Sequence, residues 1–61
     1  MCMFKVYLES RDGRKLVADK IVVAVVENGV VKLYDESLSE KASVKGVIKK
    51  VDTLNEVIVI E

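Results

Sequence analysis

The sequence predicts an all-β protein: a small, strongly bent sheet or barrel of five short strands in one domain spanning residues 1–61. Three observations carry that expectation. Apolar and polar residues alternate with period two at the amino terminus, β-branched runs recur along the chain, and Asn28-Gly29 stands between two valine-rich segments.

Taken in order, Cys2, Phe4, Val6 and Leu8 alternate with Met3, Lys5, Tyr7 and Glu9, which predicts a half-buried first strand. Ser10 to Gly13 supplies turn chemistry. Lys15 to Asp19 is ambiguous, but Ile21 to Val26 is a β-branched run that favours strand and, being apolar on both faces, needs cover on both. Asn28-Gly29 predicts a tight hairpin into a third strand, Val30 to Tyr34. From Asp35 to Ser43 the composition turns polar, and Ser37 followed by Glu40 fits either the cap of one short helical turn or a plain loop. Val44, Val47, Ile48 and Val51 make a fourth strand bent at Gly46, and Val57 to Ile60 a last one, again apolar on both faces. This pattern is that of SH3-like and Sm-like barrels.

Size makes a homodimer the expected state. For 61 residues, apolar burial and the conformational cost of ordering the chain are each on the order of 90 kcal/mol and cancel. Two strands apolar on both faces also leave one face needing a partner, which a second copy across a two-fold axis supplies. Ten basic and ten acidic residues give no net charge, hence no overall field to gather nucleic acid or an anionic membrane. The longest apolar run is too short to span a bilayer, and one thiol without a disulfide partner fits a reducing cytoplasm.

The chain contains no histidine, so a serine, histidine, aspartate triad and the usual cysteine and histidine zinc sets are absent, and no enzymatic activity is expected. Three isolated glycines make no phosphate-binding loop. Asp35, Glu36 and Glu40 cluster as candidate ligands for a hard cation, or as a solvated loop. Lys49 and Lys50, with Lys45 and Lys41, form the densest basic stretch, and Lys45, Lys49 and Lys50 are the candidate contacts for single-stranded RNA, although no aromatic residue is interleaved with them to stack bases.

The one cysteine, Cys2, lies between Met1 and Met3 beside the amino terminus. A thiolate and a nearby amine or amide nitrogen close small chelate rings, and such a mixed donor set suits nickel or copper. The same residue also serves as a small apolar side chain opening a strand.

Met1-Cys2-Met3 followed by Lys5-Val6-Tyr7-Leu8 resembles the CooT family, small cytosolic proteins linked to nickel supply for carbon monoxide dehydrogenase. The similarity continues through Asp12-Gly13, the valine-rich strand, Val31-Lys32-Leu33, the stretch Gly46 to Asp52, and Ile58 to Glu61. It departs at Phe4, where alanine is expected, and across Asp35 to Ser43. The resemblance implies a homodimeric small barrel that binds Ni(II) through Cys2, with the Met1 amine or the Cys2 backbone nitrogen as a further donor. It also implies a client, carbon monoxide dehydrogenase or its maturation proteins. Two Cys2 thiolates meeting near a dimer axis would share one ion in a planar N₂S₂ site. Family members have also been described as predicted RNA-binding proteins. The expected function is thus a cytoplasmic nickel metallochaperone or storage protein, with an RNA-binding barrel or a non-catalytic adaptor as the alternatives.

Overall fold

Val6 is fully buried beside an exposed Lys5, so the alternation at the amino terminus becomes a strand, β1 (Phe4–Ser10). A computed structural model describes residues 3–61 and places six more strands after it: β2 (Gly13–Ile21), β3 (Val23–Glu27), β4 (Val30–Tyr34), β5 (Glu40–Lys45), β6 (Ile48–Asp52) and β7 (Val57–Ile60). Among the described residues there is no helix.

The strands form two sheets. One has four strands in the order β2-β1-β7-β6, the other three in the order β3-β4-β5. β1 and β7 run parallel at the centre of the larger sheet, while every other pairing is antiparallel. The all-β expectation holds, but five strands become seven and the barrel is not closed. Both extra strands arise where an expected strand breaks at a corner. Lys20 takes a left-handed φ of 56° at the end of β2, and Val22 donates its N–H to the Tyr34 carbonyl at 2.9 Å, so the run Ile21 to Val26 leaves one sheet and enters the other. Gly46, with φ at 151°, ends β5 and redirects the chain into β6. Chains cross between packed sheets at such bends and bulges.

Asn28 and Gly29 both have positive φ, at 51° and 76°, as a two-residue primed hairpin requires. Their turn is fastened to the second corner, because the Gly46 N–H donates to the Gly29 carbonyl at 3.0 Å. Of the two readings left open for Asp35 to Ser43, the structure shows a loop leading into β5.

Between the sheets lies one apolar cluster, Val6, Ile21, Val31, Leu33, Ile58 and Ile60, each contributing roughly 1.5–3 kcal/mol on burial. Phe4, Leu8, Ala24, Ala42, Val44 and Ile48 pack against it. Val59 is also fully buried, yet it lies outside this cluster, on the far face of β7. There the ladder seats it between Tyr7 on β1 and Lys50 on β6. The doubly apolar β7 therefore finds its second cover within the chain. β3 does not: Val23, Val25 and Val26 are 38%, 37% and 54% exposed.

Candidate functional site

The elements that converge on the start of β1 define the candidate site. Phe4 pairs with Ile21 at the end of β2, and Lys5 donates its N–H to the Glu56 carbonyl at 2.9 Å, just ahead of β7. One residue earlier, Met3 lines a pocket of about 320 Å³ with Asp19, Lys20, Asp35, Glu36 and Lys41. The pocket is thus walled by the end of β2, the loop after β4 and the start of β5. Phe4 turns into the protein and packs on the core. Cys2 and Met1, the expected metal donors, lie outside the described residues.

Asp35 organises the pocket's loop wall. Its Oδ1 accepts hydrogen bonds from the Ser37 N–H at 2.9 Å, the Ser37 hydroxyl at 2.6 Å and the Ser39 N–H at 3.1 Å. Lys41 Nζ stands 3.6 Å from its Oδ2. The hydroxyl of Ser37 above all, then the Ser39 N–H, holds the Asp35 carboxyl below its ordinary value. With its lone pairs turned to the backbone, this carboxylate caps a loop. Among the described residues, no three histidine, cysteine, aspartate or glutamate side chains come together to hold a metal ion, so Asp35, Glu36 and Glu40 do not form the cation cluster that their spacing suggested.

The second set of candidates, Lys45, Lys49 and Lys50, is divided between the sheets. Lys45 closes β5, whereas Lys49 and Lys50 lie on β6. Lys49 is paired with Glu9 of β1, and Lys50 Nζ is 3.9 Å from Asp52. The Lys49 side-chain ammonium lowers the Glu9 carboxyl below its ordinary value and is itself raised, each chiefly through the hydrogen bond they share. Glu9 also accepts from Arg14 Nε at 3.0 Å, so a charged belt runs from β2 across β1 and β7 to β6. Tyr7 shares this face but stands one strand away from Lys50, with Val59 between them.

Sequence reasoning missed both the pocket and the belt. Neither has a local sign in the chain: Lys20 and Asp35 come to line one pocket only through the corner, and Glu9 meets Lys49 only through the order of strands. The sequence expectation had set its metal donors just ahead of β1. Because β1 lies between β2 and β7, both its edges are occupied, and two copies cannot pair through their first strands.

Fold and site together define a small two-sheet β-protein whose candidate chemistry is gathered at one end, ahead of a central strand. Over residues 1–61 the chain matches the family model described as CO dehydrogenase accessory protein CooT. It belongs to that family, and its role is that of an accessory to carbon monoxide dehydrogenase. An accessory role is consistent with a protein that is not itself the catalyst. No curated protein matches the chain.

Proposed function

We propose that this protein is the nickel-handling accessory of a carbon monoxide dehydrogenase: it holds Ni(II) through Cys2, at or near a homodimer interface, and supplies the ion to that enzyme. The observation that carries this reading is membership of the CooT family over the whole chain, together with the place of the single thiol, one residue ahead of Met3 and its pocket. Cys2 as thiolate is the first donor, and the Met1 amine or the Cys2 backbone nitrogen is the second. A mixed nitrogen and sulfur set suits Ni(II), whose planar geometry such chelates favour. The reading carries with it a cytoplasmic location, because there the thiol stays reduced.

The test is a Ni(II) titration of reduced, tag-free protein followed by ultraviolet-visible absorption. Thiolate-to-nickel charge-transfer bands that grow and saturate at a fixed ratio of ion to protein are the expected result. A spectrum that stays featureless through an excess of Ni(II) would remove the metal role.

A further inference from the structure

Among the described residues, four that are not glycine take a left-handed φ: Lys20, Asn28, Leu38 and Glu56. Asn28 belongs to its hairpin. The other three surround the start of β1. Lys20 lines the pocket with Met3, Leu38 lies in the loop whose Asp35 and Glu36 wall that pocket, and the Glu56 carbonyl accepts from the Lys5 N–H. Such conformations cost stability, persist only where the surroundings impose them, and cluster where proteins clamp ligands or switch.

Two loops at this end share one construction. Asp35 opens the first, and its carboxylate accepts from the backbone N–H groups of Ser37 and Ser39. Asp52, the last residue of β6, opens the second, and its carboxylate accepts from the Asn55 N–H and from Asn55 Nδ2, each at 2.9 Å. Each aspartate is followed by a leucine within its loop, Leu38 and Leu54, and these are the two most exposed large apolar side chains among the described residues, at 69% and 89%. The turn that carries Leu54 leads into Val57, which pairs with Lys5, so both leucines stand where β1 begins. Single exposed leucines are ordinary on protein surfaces. These two are set on loops already ordered by a carboxylate, and position 38 holds leucine in a conformation that asparagine accepts far more readily.

Cys2 enters at the same end, directly ahead of Met3. Direct transfer of an ion from its thiolate brings the acceptor's ligands within bonding distance, so the receiving protein must seat on this end of β1 and not on the other, where Ile60 pairs with Leu8 and Val47 donates to the Glu61 carbonyl. We propose that Leu38 and Leu54 are the anchors of that seat: each enters an apolar socket on the surface of the carbon monoxide dehydrogenase that takes the ion. The proposal rests on the nickel reading of the preceding section and names the contact through which delivery occurs. Loops ordered before contact lose little conformational freedom on docking, which leaves more of the buried apolar area as affinity.

The test is isothermal titration of nickel-free carbon monoxide dehydrogenase with the wild type, the double variant Leu38→Asn, Leu54→Asn, and Val47→Asn. Val47 is 66% exposed at the opposite end of β1 and serves as the control. The double variant should bind the enzyme at least about tenfold more weakly and Val47→Asn within about twofold of wild type. Its Ni(II) charge-transfer titration and its molecular mass in solution should equal those of the wild type. Equal affinities for wild type and double variant, an equal loss in Val47→Asn, or no association of the wild type overturns the docking contact. A double variant of lower mass in solution also overturns it, by assigning the leucines to a contact between copies. Featureless Ni(II) spectra of the wild type overturn the nickel reading instead, a result obtained without the enzyme. Leu38→Asn alone should raise the urea midpoint, and a lowered midpoint would show that Leu38 serves packing within the subunit, which overturns it as an anchor.

Discussion

Glu9 and Lys49, on β1 and β6, join across β7, the strand that separates them. Their ion pair and the Glu9–Arg14 contact close a charged belt over the face on which Val59 is buried. Lys49 lowers the Glu9 carboxyl from its ordinary 4.5, and Glu9 raises the Lys49 ammonium from its ordinary 10.5. A carboxyl lowered by folding contributes stability that is present above its ordinary value and lost as pH falls through the folded value. The raised ammonium contributes below its ordinary value and loses that contribution as pH rises through the folded one.

From these signs, Glu9→Gln lowers the urea midpoint by a constant amount between about pH 6 and 9, and the deficit relative to wild type shrinks on acidification below about pH 4.5. Salt at about 1 M shrinks it as well, because the pair is exposed and screened. Urea unfolding followed by circular dichroism at several pH values measures the difference. A deficit that persists unchanged at about pH 3, where the carboxyl is largely protonated in the unfolded chain, would assign the effect of the substitution to packing instead of charge.

Gly46 supplies a second prediction. A Cβ there would lie 2.6 Å from the Glu61 carbonyl oxygen and 2.8 Å from Ile60 Cγ2, on a backbone with φ at 151°. At Gly29, φ is 76° but nothing lies within 4 Å of the added atom. Gly29→Ala therefore carries only the left-handed conformational cost, about 1–2 kcal/mol. Gly46→Ala adds displacement of the carboxyl-terminal backbone and should cost about 3 kcal/mol or more. Equal unfolding midpoints for the two variants would mean that the corner relaxes freely.

These two glycines mark how far the fold was legible. Asn28-Gly29 fixes its hairpin through two adjacent residues, and the structure repeats the sequence reading there. Gly46 was legible as a bend, but the bend separates two strands in different sheets, because the close approach of Glu61 that demands glycine comes from the far end of the chain. The same holds for the run Ile21 to Val26: its composition reads as one strand, and it is divided by a corner that Lys20 and Tyr34 make. Val57 to Ile60 was legible as needing two covers, though not that Tyr7 and its neighbours on the same sheet provide one. At the candidate site, the position of the single thiol between two methionines and beside Met1 was readable in the sequence. The pocket beside Met3 was not, since its walls, from Asp19 to Lys41, are far along the chain.

Neutralising the basic pair tests the RNA alternative. Lys49 pairs with Glu9 and Lys50 Nζ stands 3.9 Å from Asp52, so a carboxylate competes with phosphate for each ammonium, and Lys45 lies on the other sheet. The double variant Lys49→Gln, Lys50→Gln should leave any weak affinity for single-stranded RNA within about twofold, with a near-zero dependence on salt. Fluorescence anisotropy with a labelled oligonucleotide measures both. A steep salt slope in the wild type, lost in the double variant, would restore the RNA reading.

The metal reading stands or falls on Cys2. Cys2→Ser removes the thiolate and should abolish the charge-transfer bands and stoichiometric Ni(II) binding, while circular dichroism shows the sheets intact, since the core is built from Val6 onward. Thiol and amine must both lose protons to bind, so the affinity of the wild type should fall as pH falls, by about tenfold for each proton displaced per unit of pH. Isothermal titration between about pH 6 and 8 measures that slope. A slope near one means that only one donor is deprotonated on binding, and a slope near two calls for the thiolate together with a terminal or backbone nitrogen. An affinity that is flat over the range is incompatible with either, because the free thiol, with a pKa of about 8.5, is still protonated there.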